Sequence, residues 1–175
     1  MTPTGTTVIG VRDDASSEFR TWLEAGPEDA MTLSALDFTA DGKSLYLISA
    51  RGRDTAALVQ REVATGKETE IASSPESDVS GVLIQPRTHV VQAVQFSPGR
   101  ATWKVIDPSI QADFDAIAKL HDGDFSVTNR DEADKNWLVA FTSDKGPVAY
   151  YAWDRDPKKE TVLFVHQPKL EGLQL

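Results

Sequence analysis

Short apolar runs separated by turn-forming residues recur along this chain, and this repetition constrains the fold more than any other feature. Within residues 37–67, two alternating apolar runs are flanked by turn dipeptides, Asp-Gly at 41–42 and Thr-Gly at 65–66. Alternation of apolar and polar residues predicts half-buried β-strands, and glycine accepts the positive φ that tight turns need. The stretch therefore predicts antiparallel strands joined by hairpins.

The same order of strands and turns returns along the rest of the sequence. The predicted strands lie at 8–11, 19–23, 33–38, 44–49, 56–63, 67–72, 79–84, 89–96, 101–106, 125–128, 137–142, 148–153 and 161–165. Equivalent second strands begin about 45 to 48 residues apart, which is the size of a four-stranded propeller blade. The sequence thus predicts an all-β fold, a partial β-propeller of about three and a half four-stranded blades with one inserted helix.

This repeat also predicts the internal organisation of the chain. A length of 175 residues is typical of one domain with its own core. We predict a single domain over residues 1–175, with a strand pair at 1–25, blades at 33–75, 78–121 and 124–166, and a linker-like tail at 167–175.

One segment departs from the strand pattern. Asp107 followed by Pro108 is typical of a helix N-cap with proline in the first turn. Apolar residues then recur on one helical face, at Ile110, Phe114, Ile117 and Leu120. We expect the middle blade to have this helix at or just before its fourth strand position. The helix either packs beneath a blade or protrudes as an arm that contacts a partner.

Composition excludes several classes of function. The chain has 27 acidic and 18 basic residues and a net charge of −9, so no nucleic-acid partner is expected. The absence of cysteine excludes disulfides, thiolate metal sites and a cysteine nucleophile, and it fits a reducing, cytoplasmic location. No signal-peptide pattern and no apolar run of about 20 residues is present, so no membrane association is expected.

No residue pattern indicates a metal, a cofactor or a catalytic centre. The histidines, His89, His121 and His166, fall in separate repeats without the short spacing of metal ligands. No phosphate-binding glycine loop or dinucleotide fingerprint occurs. We therefore expect no metal and no cofactor.

Charged residues in predicted turns are the best candidates for a binding role. They are Arg51, Arg53, Asp54, Arg130 and Arg155. One interpretation is that these side chains are solvated turn charges. The other is that they line a substrate path or a domain interface, where a guanidinium holds a carboxylate in a bidentate pair. The turn at 51–54 is the first choice, because two arginines flank a glycine.

Whole segments of the chain resemble the propeller of prolyl-oligopeptidase-type (S9) serine peptidases. The similarity is greatest to bacterial dipeptidyl and acylaminoacyl peptidases and covers residues 35–170. It is carried by FTADGKSLYLISARGRDTAALVQREVATGKE, ESDVSGVLIQP, ATWKVIDPSIQADFDAIAKLHDGDFSV and WLVAFTSDKGPVAYYAWDRDPKKETVLF. In such proteins a run like QPKLEGLQL, residues 167–175 here, precedes the linker to an α/β-hydrolase domain.

The resemblance implies a function without implying a catalytic residue in this chain. The family's nucleophile sits in a G-x-S-x-G turn of the hydrolase domain, and no such motif occurs here. The chain alone is therefore expected to be inactive, whether it comes from a longer polypeptide or a truncated gene product. Its implied role is that of a non-catalytic propeller portion that gates access of peptide substrate to the absent hydrolase domain.

An alternative hypothesis is a stand-alone propeller-like module that binds protein or carbohydrate. In either case an incomplete ring would expose strand edges and apolar faces, which favour association between copies. We therefore expect a homo-oligomer.

Overall fold

The structure, a computed structural model, describes residues 2–170, and its regular secondary structure there is mainly β-strand. The strands are β1 (Thr7–Val11), β2 (Arg20–Ala25), β3 (Ser34–Phe38), β4 (Ser44–Ser49), β5 (Ala57–Glu62), β6 (Glu68–Ala72), β7 (Val79–Ile84), β8 (Val91–Phe96), β9 (Thr102–Val105), β10 (Asp124–Arg130), β11 (Asn136–Ser143), β12 (Gly146–Asp154) and β13 (Lys159–Val165). One α-helix, α1 (Gln111–Ile117), follows β9. The predicted all-β class with one inserted helix is confirmed.

Strands that are consecutive in sequence form four separate sheets. The first sheet contains β1 and β2, the second β3–β6, the third β7–β9, and the fourth β10–β13. Within each sheet the strands follow their order in the chain. The hairpin succession predicted from the turn residues is therefore present in the described residues.

The turn into β4 shows why the sequence folds this way locally. Gly42 has φ 68°, and its amide donates to the Thr39 carbonyl at 2.8 Å. The Asp41 carboxylate accepts hydrogen bonds from the Thr39 hydroxyl at 2.7 Å and the Lys43 amide at 3.1 Å. These bonds satisfy the turn locally, and glycine adopts the required positive φ at no steric cost.

The chain divides into two compact units. Among the described residues, the first consists of 2–81 with 96–98, and the second of 82–95 with 99–170. The core of the first unit is formed by Leu23, Ala25, Leu33, Leu45, Leu47, Ala57 and Val59. The core of the second is formed by Leu83, Ala93, Ile110, Phe114, Ile117, Trp137, Val139, Phe141 and Trp153.

The predicted helix is present and belongs to the core of the second unit. A 3-10 turn, Pro108–Ile110, leads into α1, and the Asp107 carboxylate accepts the Ser109 amide hydrogen at 2.9 Å. Ile110, Phe114 and Ile117 are buried against the fourth sheet's core residues. The hypothesis of a protruding arm is therefore wrong, because the apolar face of the helix is covered.

The third sheet has three strands, and within residues 2–170 no strand takes its fourth position, so the helix stands at that position, which is one of the two places expected for it. The reason is local: Asp107 caps the helical turn and Pro108 lacks the amide hydrogen that a further strand residue would use. In addition, His89 lies in the turn before β8, with φ 55°, rather than in the strand.

The end of the chain is described only in part. Residues Pro168–Leu170 form a 3-10 turn. The rest of the predicted tail, residues 171–175, lies outside the described residues. No helix within the described part of the chain is long and apolar enough to cross a lipid bilayer.

Candidate functional site

The turn at 51–54 joins β4 to β5, and both of its arginines face acidic residues on β6. Arg53 NH1 lies 2.7 Å from Glu70 Oε2, and Arg51 NH1 lies 3.7 Å from Glu68 Oε1. Asp54 is exposed. A substrate carboxylate that binds either guanidinium would therefore compete with a glutamate for the same donors.

Arg61 on β5 belongs to the same charged group. Its NH1 lies 2.7 Å from Glu68 Oε1, and its guanidinium carbon lies 5.2 Å from the centre of the Trp22 ring. A Cβ at Gly66 would approach Arg61 NH2 to 2.8 Å. Glycine at position 66 thus leaves space for the arginine as well as supplying the positive φ of the turn.

The other two predicted arginines, Arg130 and Arg155, converge on one carboxylate. Arg130 NH1 lies 3.1 Å from Asp134 Oδ1, and Arg155 NH1 lies 2.8 Å from Asp134 Oδ2. The Trp137 indole also donates to Asp134 Oδ1 at 2.7 Å. The Arg155 guanidinium carbon lies 4.5 Å from the centre of the Trp137 ring. The structure therefore brings these two site candidates together around a shared acid and a shared aromatic ring.

Asp113 of α1 extends this arrangement into the core. Its side chain is 1% exposed and accepts hydrogen bonds from Trp153 Nε1 at 3.0 Å, Arg155 Nε at 3.1 Å and Lys158 Nζ at 2.8 Å. Burial by itself raises the pKa of Asp113, but the donors from Lys158, Trp153 and Arg155 outweigh it and hold the pKa below its ordinary value. The carboxylate is therefore ionised at neutral pH.

Arg130 connects the same group to the ends of strands in the third sheet. Its NH1 donates to Gln92 Oε1 at 2.6 Å, and its NH2 donates to the Ile84 carbonyl at 2.8 Å. Gln92 is itself buried. We call the set of side chains formed by Asp113, Arg130, Asp134, Arg155 and Lys158 the Asp113 network. Each of its carboxylates is paired with two cations, and these ion pairs join α1 to the strand ends.

The Asp113 network is reached from solvent beside Arg130. A cavity of about 450 Å³ is lined there by Pro86, Arg87, Arg130, Asp131 and Glu132. Hydrogen bonds from the Asn136 side chain and the Lys135 amide lower the pKa of Asp131, so this residue is ionised at neutral pH. The cavity therefore presents charges of both signs and can hold a polar or zwitterionic group. Of the predicted site residues, Arg130 lines this cavity and is therefore placed where it could contact a bound ligand.

The histidines do not form a common site within the described residues. His121 packs against Phe141, with ring centres 5.3 Å apart, at the edge of a pocket of about 430 Å³. His89 is in a turn, and His166 follows β13. Residues 2–170 contain no group of three or more His, Cys, Asp or Glu side chains arranged to hold a metal ion.

Sequence reasoning missed the two acids on which the arginines converge. Neither Asp134 nor Asp113 is among the candidates that the sequence patterns indicate. A usable signal existed for Asp113, because it falls between Ile110 and Phe114 on the apolar side of the predicted helix. A carboxylate at such a position indicates a buried partner of opposite charge.

The described strands form successive antiparallel sheets, so the chain belongs to the all-β class. The arginines predicted as site residues are engaged in ion pairs with neighbouring acids. No protein-family model matches the chain. The chain is similar to dipeptidyl aminopeptidase BIII of Pseudoxanthomonas mexicana, with 44% identity over 148 residues. The match covers 85% of this chain and 22% of the relative, so the chain spans about a fifth of that curated relative's length. The predicted resemblance to peptidases of the dipeptidyl-peptidase type is confirmed by this relative.

Proposed function

We propose that this chain is a non-catalytic propeller portion of an S9-type serine peptidase and that it gates access of peptide substrates to a hydrolase domain. The observation that carries the proposal is the 44% identity to a dipeptidyl aminopeptidase over 85% of the chain. The absence of a G-x-S-x-G motif from the sequence supports a role outside the chemical step.

The propeller arrangement is part of this proposal. Its support is the succession of hairpin-connected sheets, two of which have four strands each. Further support comes from β13, an edge strand with three exposed apolar side chains: Val162 is 62% exposed, Leu163 46% and Phe164 54%. Such a surface is suited to packing against a further sheet.

The first experiment tests whether the isolated chain lacks peptidase activity. The purified chain is incubated with dipeptidyl p-nitroanilides and aminoacyl chromogenic substrates. No turnover is expected, because the sequence has no nucleophile turn. Turnover that survives repeated purification and disappears with a serine-directed reagent would contradict the proposal.

The second experiment tests the assignment to a peptidase. The matching segment of the Pseudoxanthomonas mexicana relative is replaced by this chain, and the chimera is assayed on dipeptidyl p-nitroanilides. Retained hydrolysis supports the proposal. A chimera that folds with the relative's thermal stability, keeps an intact hydrolase domain and has lost the activity counts against it.

As part of the proposed gating role, Arg51 and Arg53 would line the path that the peptide substrate takes. In the chimera, replacing Arg51 and Arg53 by alanine removes two cations near Glu68 and Glu70. We expect a fall of a few-fold in kcat/KM for substrates with an acidic side chain relative to neutral ones. Arg20→Ala, at an exposed position paired with Asp13 at 3.8 Å, is the matched control. Equal effects of the two changes would argue for solvated turn charges instead.

The stand-alone interaction module remains the second candidate, because the exposed apolar side chains of β13 would serve equally well as a binding surface for another protein. The reading frame that follows the codon of Leu175 distinguishes the two candidates: a continuing frame with G-x-S-x-G supports the peptidase, and a stop codon supports the module.

If the polypeptide exists alone, we propose that it associates through its exposed strand edges. The cytoplasmic location rests on the cysteine-free sequence and is tested by cell fractionation.

A further inference from the structure

The third sheet ends at β9, and the outer edge of this strand is not paired with another strand within residues 2–170. The second and fourth sheets each contain a fourth strand, whereas here the chain turns into the 3-10 turn and α1 directly after β9. Edge strands present backbone donors and acceptors that can pair with a further extended segment.

The hydrogen bonds at the end of β9 show which backbone groups face this edge. The Ile106 amide donates to the Gln92 carbonyl of β8 at 2.8 Å. Because successive residues of a strand point to opposite sides, the backbone groups of Trp103 and Val105 point away from β8. Ala101 has the same outward orientation, and its amide donates to Asp124 Oδ2 at 2.9 Å. A carboxylate thus already takes the place of a strand partner at one end of the edge.

A groove runs beside this edge and has aromatic walls. It measures about 380 Å³ and is lined by residues of β9, α1 and segment 123–125. The Trp103 and Phe114 ring centres are 5.5 Å apart, and those of Phe114 and Phe125 are 5.2 Å apart. We call this feature the β9 groove. Its volume suits one or two apolar side chains of an extended peptide.

The rim of the β9 groove carries three charged side chains, those of Arg100, Asp115 and Asp124. Arg100 pairs with Asp124, with 2.7 Å between Arg100 Nε and Asp124 Oδ1. Asp115 of α1 is exposed and accepts a hydrogen bond from the neutral amide of Gln111 at 2.8 Å. No cation is paired with Asp115 among the described side chains. A ligand with a basic group would complement this carboxylate.

We propose that the β9 groove binds an extended peptide, which adds to β9 as the fourth strand of the third sheet. Its backbone pairs with the outward groups of Trp103 and Val105, an apolar side chain enters the groove, and a lysine or arginine meets Asp115. This mode of recognition uses main-chain hydrogen bonds for affinity and alternate side chains for specificity. The site lies in this chain itself, so it stands or falls independently of the peptidase proposal.

The first test measures binding of a defined probe to the full chain. The probe is a fluorescein-labelled hexapeptide of alternating valine and lysine, and binding is followed by anisotropy and by ¹⁵N–¹H spectra. Saturable binding is expected, with the largest shifts at the amides of Trp103 and Val105 and increased protection of those amides from exchange. Absence of binding, or shifts centred elsewhere, overturns the proposal.

Backbone-modified probes test the strand pairing without changing the protein. Two further peptides are N-methylated at either the odd or the even positions. Because only one set of amides faces β9, one peptide should bind about tenfold more weakly and the other should keep its affinity. Equal binding of both peptides overturns strand addition.

A charge exchange tests the partner of Asp115. Asp115→Lys should weaken binding of the valine–lysine peptide about fivefold and strengthen binding of the same peptide with glutamate in place of lysine. Asp54→Lys makes the same charge change at an exposed turn in the other unit and should leave both affinities unchanged. If the two variants behave alike, the proposed contact is wrong.

Discussion

At the scale of single residues, the carboxylate of Asp113 is the buried acceptor that joins α1 to β12 and the turn after it. It is fully buried and accepts hydrogen bonds from an indole, a guanidinium and an ammonium group. The three donors come from β12 and the turn that follows it, while Asp113 belongs to α1. Loss of this acceptor would leave the buried Trp153 indole without its hydrogen-bond partner, whereas the Lys158 side chain, which is 43% exposed, keeps its access to water.

Replacing Asp113 by asparagine tests this dependence. We expect the free energy of unfolding to fall by about 3 kcal/mol, because removing one partner of a buried ion pair leaves an uncompensated charge. Urea denaturation followed by circular dichroism measures the change. Asp115→Asn, at an exposed position on the same helix, is the matched control and should cost less than about 0.5 kcal/mol. Equal losses for both variants would contradict the assigned role.

The same carboxylate predicts how stability depends on pH. The pKa of Asp113 is lower in the folded protein than its ordinary value of 3.8. Its contribution is therefore fully present above that ordinary value and is lost as the pH falls through the folded pKa. Unfolding free energies measured from pH 6 down to the acid limit should decline more steeply for the native chain than for Asp113→Asn. Parallel curves would count against the prediction.

At the scale of elements, the Asp107–Pro108 pair decides where the third sheet ends and the helix begins. The Asp107 side chain accepts the Ser109 amide hydrogen, and Pro108 follows at the first helical position. The helix that results buries Ile110, Phe114 and Ile117. Because of this dipeptide, a helix follows β9 in place of a fourth strand, and the outer edge of β9 has no strand partner within residues 2–170.

Asp107→Ala tests the cap. We expect a loss of about 1 kcal/mol in unfolding free energy, the usual cost of removing an N-cap acceptor. Thermal unfolding of the two proteins measures it. Ser109→Ala provides the control, because Ser109 contributes its backbone amide rather than its side chain to the cap. A stability loss of the same size in the control would show that the cap is not responsible.

Sequence patterns predicted the elements well where the causes are local. The strands and hairpin turns follow from alternation and from glycines such as Gly42 and Gly66, and the helix follows from Asp107 and Pro108. The charged contacts could not be predicted in this way, because they join distant positions. Asp113 and Lys158 are 45 residues apart, and Arg130 and Ile84 are 46 apart. The sequence patterns indicated Arg130 and Arg155 as candidate site residues, but not Asp134 and Asp113, with which they form ion pairs.

At the scale of the whole molecule, the apolar surface of β13 has the largest consequence for behaviour in solution. Val162, Leu163 and Phe164 are each more than 40% exposed, and the Phe164 ring stacks on Tyr150 with centres 4.6 Å apart. Exposed apolar edge strands of this kind favour pairing between chains. The net charge of −9 opposes association, and its effect weakens as salt screens it.

We therefore predict that the isolated chain forms dimers or larger assemblies at micromolar concentration and does so more strongly at high salt. Sedimentation velocity measures both effects. The double variant Val162→Lys with Phe164→Lys should shift the chain towards the monomer, because it places like charges on the edge. Val8→Lys, at an exposed apolar position in the first sheet, is the control. A native chain that stays monomeric at all salt concentrations would refute the prediction.

The placement of the tryptophans has a further consequence for spectroscopy. Trp22 lies in the first unit, while Trp103, Trp137 and Trp153 lie in the second. The indoles of Trp137 and Trp153 donate to Asp134 and Asp113, whereas that of Trp22 donates to the Val63 carbonyl. Emission from a Trp22→Phe variant therefore reports melting of the second unit alone, and its difference from the emission of the native chain reports melting of the first, without any attached dye.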